Sequence, residues 1–254
     1  MEPSLEDLLA RYEGALEDRR ALVTGAGSGI GRAIAIAFAG AGADVALLGR
    51  REQPLAETAE MVEEAGARAL VLPADVTDPG DLDRAVSRAS DELGDASIAV
   101  ANAGVDAWAD LQELAPARLR AALATNTEGV ANLARSVVPS MREHGGGKLI
   151  VVASDNGRRA EAGGSGYVAS KFAAVGLSLA LSLELLEDDI GVHVIEPGAV
   201  DTEWYPPDED APRDRMLRAE EVALVALFLA TLPRGIVLDE ILMLPAALVR
   251  EPWD

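Results

Sequence analysis

Residues 20–40, RALVTGAGSGIGRAIAIAFAG, limit the possible folds more than any other stretch of the chain. A short apolar run, RALVT, passes straight into TGAGSGIG (24–31) and then into a segment rich in Ala and Ile. Strand, glycine loop and helix in that order form the opening of a βαβ unit. Gly25, Gly29 and Gly31 let the backbone turn tightly and approach a ligand closely. The N–H groups of Ser28 and Ile30 stand where the following helix begins. That end carries free donors and a partial positive charge, which suits a pyrophosphate.

The pattern continues along the chain. Strands are expected at DVALLG (44–49), ARALVLPADV (67–76), SIAVANAG (97–104), GKLIVVAS (147–154), GVHVIEPG (191–198) and IVLDEILML, ending at Pro245. Helices are expected at 52–66, 79–93, around 116–143, at 165–187 and near 219–231. Strands alternating with helices imply an α/β fold: a Rossmann-type doubly wound parallel sheet of about seven strands with helices on both faces. Residues 1–19 read as an N-terminal helical extension, with Leu5, Leu8, Leu9, Tyr12 and Leu16 near helical spacing. Residues 20–254 read as a single dinucleotide-binding and catalytic domain. The chain's 254 residues are enough to bury a substantial core.

Composition narrows the function. A formal net charge of −21 argues against nucleic acid, whose recognition depends on Lys and Arg, and against an anionic membrane surface. There is no cysteine, so neither a disulfide framework nor a thiol nucleophile is available. That fits a reducing, cytoplasmic setting. The two histidines, His144 and His193, are far apart in sequence, and no metal site is expected. The first residues show neither an apolar signal core nor a basic leader. The apolar stretch 173–186 is interrupted by Ser178, Ser182 and Glu184 and is short for a membrane span.

The end of the second strand speaks to the choice of dinucleotide. An acidic residue there would bond a ribose 2′-hydroxyl, whereas arginine accommodates a 2′-phosphate. Asp44 begins that strand, at the wrong end for the ribose. The strand ends at Gly49, followed by Arg50 and Arg51, so NADP(H) is favoured over NAD(H). Tyr167 and Lys171, in YVASK (167–171), are four apart and share one helix face.

Seven motifs occur in order: TGAGSGIG, ADVT (74–77), ANAG (101–104), TNTEG (125–129), Ser154, YVASK and EPGAVDT (196–202). With them the chain resembles the short-chain dehydrogenase/reductase family, in its single-domain branch, from about residue 20 to 245. The resemblance implies a general acid/base role for Tyr167, with Lys171 holding the nicotinamide ribose and lowering the tyrosine pKa. It implies that Ser154 bonds the substrate oxygen and that Asn126 supports a water-linked proton path. Asp75 and Val76 would lie near the adenine. Asn102, Ala103 and Gly104 would shape the cofactor floor, and Pro197, Gly198, Val200 and Thr202 would line the nicotinamide.

The expected activity is interconversion of a carbonyl and a secondary alcohol on a small molecule. An NAD(H)-dependent alcohol dehydrogenase of the same family and a non-catalytic dinucleotide-binding sensor or scaffold remain as alternatives. Dehydration or epimerisation at the same site is a further one. The apolar helix 172–186 suggests burial on more than one side, and the resemblance implies a homodimer or homotetramer.

The sequence departs from the family pattern after Ser154. DNGRRAEAGGSG there brings Asp155, Arg158 and Arg159 close to the site, either facing the substrate or solvated. The C-terminal LDEILMLP resembles a subgroup acting on hydroxy acids, sugar alcohols or hydroxylated amino acids. The segment after Thr202, EWYPPDEDAPRDRML, should cover the substrate, with Trp204 and Tyr205 as contacts. Its acidic residues oppose an anionic substrate, so the two hints about substrate conflict.

Overall fold

The computed structural model describes residues 3–206 and 210–250. Its main sheet has seven strands: β1 (Arg20–Thr24), β2 (Asp44–Gly49), β3 (Ala69–Pro73), β4 (Ile98–Ala101), β5 (Gly147–Val152), β6 (Ile190–Pro197) and β9 (Glu240–Met243). Their spatial order is β3-β2-β1-β4-β5-β6-β9, and every pairing is parallel. The strands are continuously apolar because both faces of the sheet are covered. All four residues of β4 and all eight of β6 are buried.

Successive residues of each strand point to opposite cores. Leu22 faces one core with α4 (Pro79–Leu93), α6 (Gly129–Glu143) and α7 (Ser165–Glu184). Ala21 and Val23 face the other with α2 (Gly29–Gly40), α3 (Glu52–Glu64) and α8 (Ala219–Thr231). The fold is the doubly wound sheet that the βα rhythm implied, and it reverses direction between β1 and β4. Ligands in such sheets bind outside the carboxyl ends of the strands at that reversal.

Several boundaries differ from the expected ones. The helical region 116–143 is broken: α5 (Pro116–Leu123) and α6 are joined by a π-helical turn, Ala124–Glu128. α7 stops at Glu184 and passes through a 3₁₀ turn, Leu186–Asp188, before Asp189 adopts φ 56°. The last strand is only Glu240–Met243. The residues before it serve side chains instead: Lys148 Nζ donates to the carbonyls of Pro233 and Ile236, and Leu238 N–H donates to His193 Nδ1.

A two-stranded sheet, β7 (Val200–Asp201) with β8 (Leu217–Arg218), was not legible, since two-residue strands carry no period. Of the first nineteen residues, α1 (Leu5–Ala10) is helical. Leu16 is fully buried in the second core, and its N–H donates to Ala41 O at 2.8 Å. A five-residue α9 (Ala246–Arg250) ends the described chain.

α7 is the one helix among the described residues long and apolar enough to cross a membrane. Its buried side packs on β6 and α5, which is what a core helix of a folded domain does.

Candidate active site

A cleft of about 1120 Å³ opens along the carboxyl ends of the strands. It is larger than a single small ligand needs. The loop after β1 forms one wall. Ser28 is the N-cap of α2 but gives no side-chain cap, so the helix keeps free N–H groups. One of these, on Gly29, donates to Glu203 Oε2 at 3.1 Å. Gly29 adopts φ +51°, which favours glycine. Gly31 is buried behind the wall rather than lining it; a Cβ there would stand 2.3 Å from Gly25 O.

β1 and β4 are locked together beneath this loop. Thr24 Oγ1 donates to Val100 O at 3.1 Å and accepts from the N–H groups of Asn102 and Ala103 at 3.0 and 3.1 Å. Asn102 Nδ2 donates to Thr24 O and Gly25 O. With Gly104 these residues form the floor. Gly49, Arg50 and Arg51 close the far end beside Asp75 and Val76. Burial works to raise the Asp75 carboxyl. The Thr77 N–H and hydroxyl, at 2.9 and 2.8 Å, and the charge of Arg50 outweigh it and hold the group below its usual range. Asp44 lies at the opposite end of β2, where it accepts from Arg68 N and pairs with the Arg68 guanidinium.

At the other end the cleft gathers Ser154, Tyr167 and Lys171. Ser154 ends the loop after β5 and caps the 3₁₀ turn Asp155–Gly157; its Oγ accepts from Asn156 N at 3.2 Å. Its hydroxyl is close enough to the Tyr167 phenol to favour the phenolate. Tyr167 and Lys171 occupy the first turns of α7. Lys171 Nζ donates to Val152 O at 3.3 Å and stands 5.6 Å from the Tyr167 ring centroid.

Burial dominates both titrations. It pushes the Tyr167 phenol well above its ordinary value, against the opposing Ser154 hydrogen bond. It brings the Lys171 ammonium down to about 8.

Asn126 is buried in the π turn and does not line the cleft. Its Oδ1 accepts from Val105 N at 2.8 Å, and its Nδ2 donates to Val105 O and Ser170 Oγ. Ser170 Oγ in turn donates to Tyr167 O at 2.7 Å. Asn126 therefore ties the floor loop to the first turn of α7 from behind. Pro197, Gly198, Val200, Thr202, Trp204 and Tyr205 all line the cleft.

The segment after Ser154 divides. Asp155 and Arg159 line the cleft. Arg158 does not; it bridges Glu196 at 2.7 Å and also Glu240, clamping β6 to β9. Sequence reasoning missed Trp108 and Glu203. Trp108 lines the cleft and lies 6.2 Å from Tyr167, ring centroid to centroid. It sits in a loop without periodicity, so no signal marked it.

The geometry agrees with what comparison with known proteins finds. The family model for short chain dehydrogenase matches residues 19–211. An uncharacterized NAD-dependent oxidoreductase of Mycobacterium tuberculosis is 35% identical over 209 residues, covering 77% of this chain and 76% of the relative. The crystal structure of a short-chain type dehydrogenase/reductase from Mycobacterium marinum is 32% identical with a TM-score of 0.84, covering 96% of this chain and 99% of that one. An alcohol dehydrogenase from the archaeon Thermococcus sibiricus, complexed with 5-hydroxy-NADP, is 30% identical with a TM-score of 0.82, covering 89% of this chain and 95% of that one. Ordered motifs, strand order, cleft and relatives converge: the chain belongs to the short-chain dehydrogenase family of oxidoreductases.

Proposed function

We propose that this chain is an NADP(H)-dependent oxidoreductase that interconverts a small-molecule carbonyl and a secondary alcohol, with Tyr167 as general acid/base. The observation that carries the reading is the convergence of Ser154, Tyr167 and Lys171 at one end of the cleft.

A dinucleotide fits the residues present. Gly29 N–H already holds a carboxylate oxygen at the start of α2, so that helix end accepts an oxyanion. When bound, the nicotinamide ring supplies or accepts the hydride. The protein's share is placement and proton delivery. The Ser154 hydroxyl orients the reacting oxygen, and the Tyr167 hydroxyl gives or takes its proton. Lys171, held against Val152 O, provides the cation beside the phenol and a donor for a ribose hydroxyl. Asn126 keeps α7 and the floor in register.

The preference for NADP(H) rests on Gly49 and Arg50 at the end of β2 and on Asp44 being engaged with Arg68 at the other end. The relatives' names point both ways, one to NAD and one to an NADP derivative. Melting temperatures with NADPH, NADH, NADP and NAD at equal concentration decide the matter. A larger rise for the phosphorylated pair, lost in Arg50→Ala, is the expected result. A larger rise for the NAD pair would reassign the cofactor. Binding with no turnover across a carbonyl and alcohol panel would point to a sensor.

Assembly through α7 and a cytoplasmic location extend the same reading. Phe172, Leu183 and Leu186 stand 45%, 78% and 54% exposed on and just after that helix, an apolar face suited to a second copy. A single-chain mass in sedimentation would oppose assembly.

A further inference from the structure

We propose that the substrate carries a positive charge close to its reacting carbon: an amino or quaternary-ammonium ketone, or the corresponding alcohol. The inference rests on the reading of the cleft as a carbonyl/alcohol site and adds the charge of what enters it.

The first support is the walls. Trp108 and Trp204 flank Tyr167 at centroid distances of 6.2 and 5.8 Å, with planes tilted by 30° and 54°. The Trp108 ring is seated against Gly164, where a Cβ would come within 2.8 Å of the indole, so only glycine allows that position. Aromatic faces attract cations within about 6 Å, and tryptophan does so best.

The second support is the local charge. Asp155 follows Ser154 directly and lines the cleft. Its Oδ1 accepts from Ser154 Oγ at 3.3 Å, one hydrogen bond from the hydroxyl that orients the reacting oxygen. The other charges at this end are committed elsewhere or offset. Asp106 is held by Arg118 at 2.7 Å and by Trp108 N at 2.8 Å. Arg159 and Glu161 are exposed and of opposite sign. Glu203 sits on Gly29 N–H; the Lys171 ammonium stays at this end, held against Val152 O on the Tyr167 side. The half-buried Asp155 is therefore the acidic group that a substrate meets beside Ser154; burial raises its carboxyl, and a cation placed beside it would favour the charged form and be held by it. A carboxylate at the same place would be repelled.

Three ketones of similar size test this: trimethylammonioacetone, its uncharged isostere methyl neopentyl ketone, and acetoacetate. Reduction is followed with saturating NADPH and, separately, NADH. The cation should exceed the isostere in kcat/KM by about tenfold, the scale of one desolvated cation–aromatic contact. Acetoacetate should be the poorest of the three. Asp155→Asn and Trp204→Leu should each lower the cation-to-isostere ratio at least about threefold.

The same compounds are added to the dinucleotide-saturated protein, and the rise in melting temperature reads binding without turnover. A larger rise for the cation with no turnover of any ketone would keep the charge inference and overturn the redox reading. Turnover without preference for the cation would do the reverse. A cation that binds no better than its isostere overturns the inference whatever the turnover.

Discussion

At the scale of single residues, Tyr167 carries most of the chemical argument. Its hydroxyl meets Ser154, while its ring touches two tryptophans and lies beside Lys171. Tyr167→Phe removes the proton and keeps the ring, so kcat should fall about 10²- to 10⁴-fold. The melting shift given by the dinucleotide should survive, and retained turnover would remove the tyrosine from the mechanism. The residues that sequence marked best are those whose role depends on local geometry. Tyr167 and Lys171 share a face because of helical spacing, and Gly29 is required by its own φ. Trp108 and Glu203 were illegible for the opposite reason. Each reaches its position across a loop, and only the closed chain brings Trp108 to Tyr167 or Glu203 to Gly29.

Between elements, two contacts repay testing. The segment after β7 places Glu203 on the start of α2, the position that a pyrophosphate would need. Glu203→Gln should tighten dinucleotide binding about five- to tenfold by titration calorimetry, given the strength of an anion at a helix start. Unchanged or weaker binding would show that the carboxylate does not compete.

The clamp between β6 and β9 is the second. Glu196 is fully buried, its Oε1 has no hydrogen-bond partner, and Arg158 is its counter-ion. Burial raises the Glu196 carboxyl and the Arg158 charge opposes that rise. Arg158→Met should cost about 2 kcal/mol in chemical denaturation, below the range for breaking a fully buried pair because Arg158 is itself 43% exposed. Adding Glu196→Gln should recover part of the loss. The shortened β9 and the interrupted 116–143 helix escaped sequence reasoning because periodicity marks apolar faces, not where a backbone leaves its ladder to satisfy Lys148, His193 or Asn126.

Over the whole molecule, stability should depend on acidity through His193. The ring is fully buried between β6 and the segment before β9, and burial brings its pKa to about 4 from 6.5. Between those values the unfolded chain holds a proton that the folded chain excludes. Stability is therefore complete above about pH 6.5 and declines as pH falls towards 4, by up to about 3 kcal/mol from this group. Melting curves from pH 7 to 4 should show that decline, and His193→Gln should flatten it. A wild-type slope matched by the variant would assign the acid sensitivity elsewhere. The doubly wound sheet was legible at this scale because long βα alternation has few other solutions. The cleft was legible where its lining comes from strand ends and from the first turns of α7, which this topology gathers on one side. The substrate end is built from loops and was not.

The π turn at Ala124–Glu128 amounts to one surplus residue within what would otherwise be a continuous helix. Deleting Thr127 would let the segment relax into regular α-helix, which is locally better bonded. It would leave α5 and α6 in nearly their present register but remove the bulge that aims Asn126 at Val105 and Ser170. The shortened chain should therefore lose turnover and also some melting temperature, since the buried Asn126 amide is left without its partners and the Thr127–Ser170 bond is gone. The surplus residue gives up regular helix bonding at one turn and in exchange aims a buried amide where a regular helix would not.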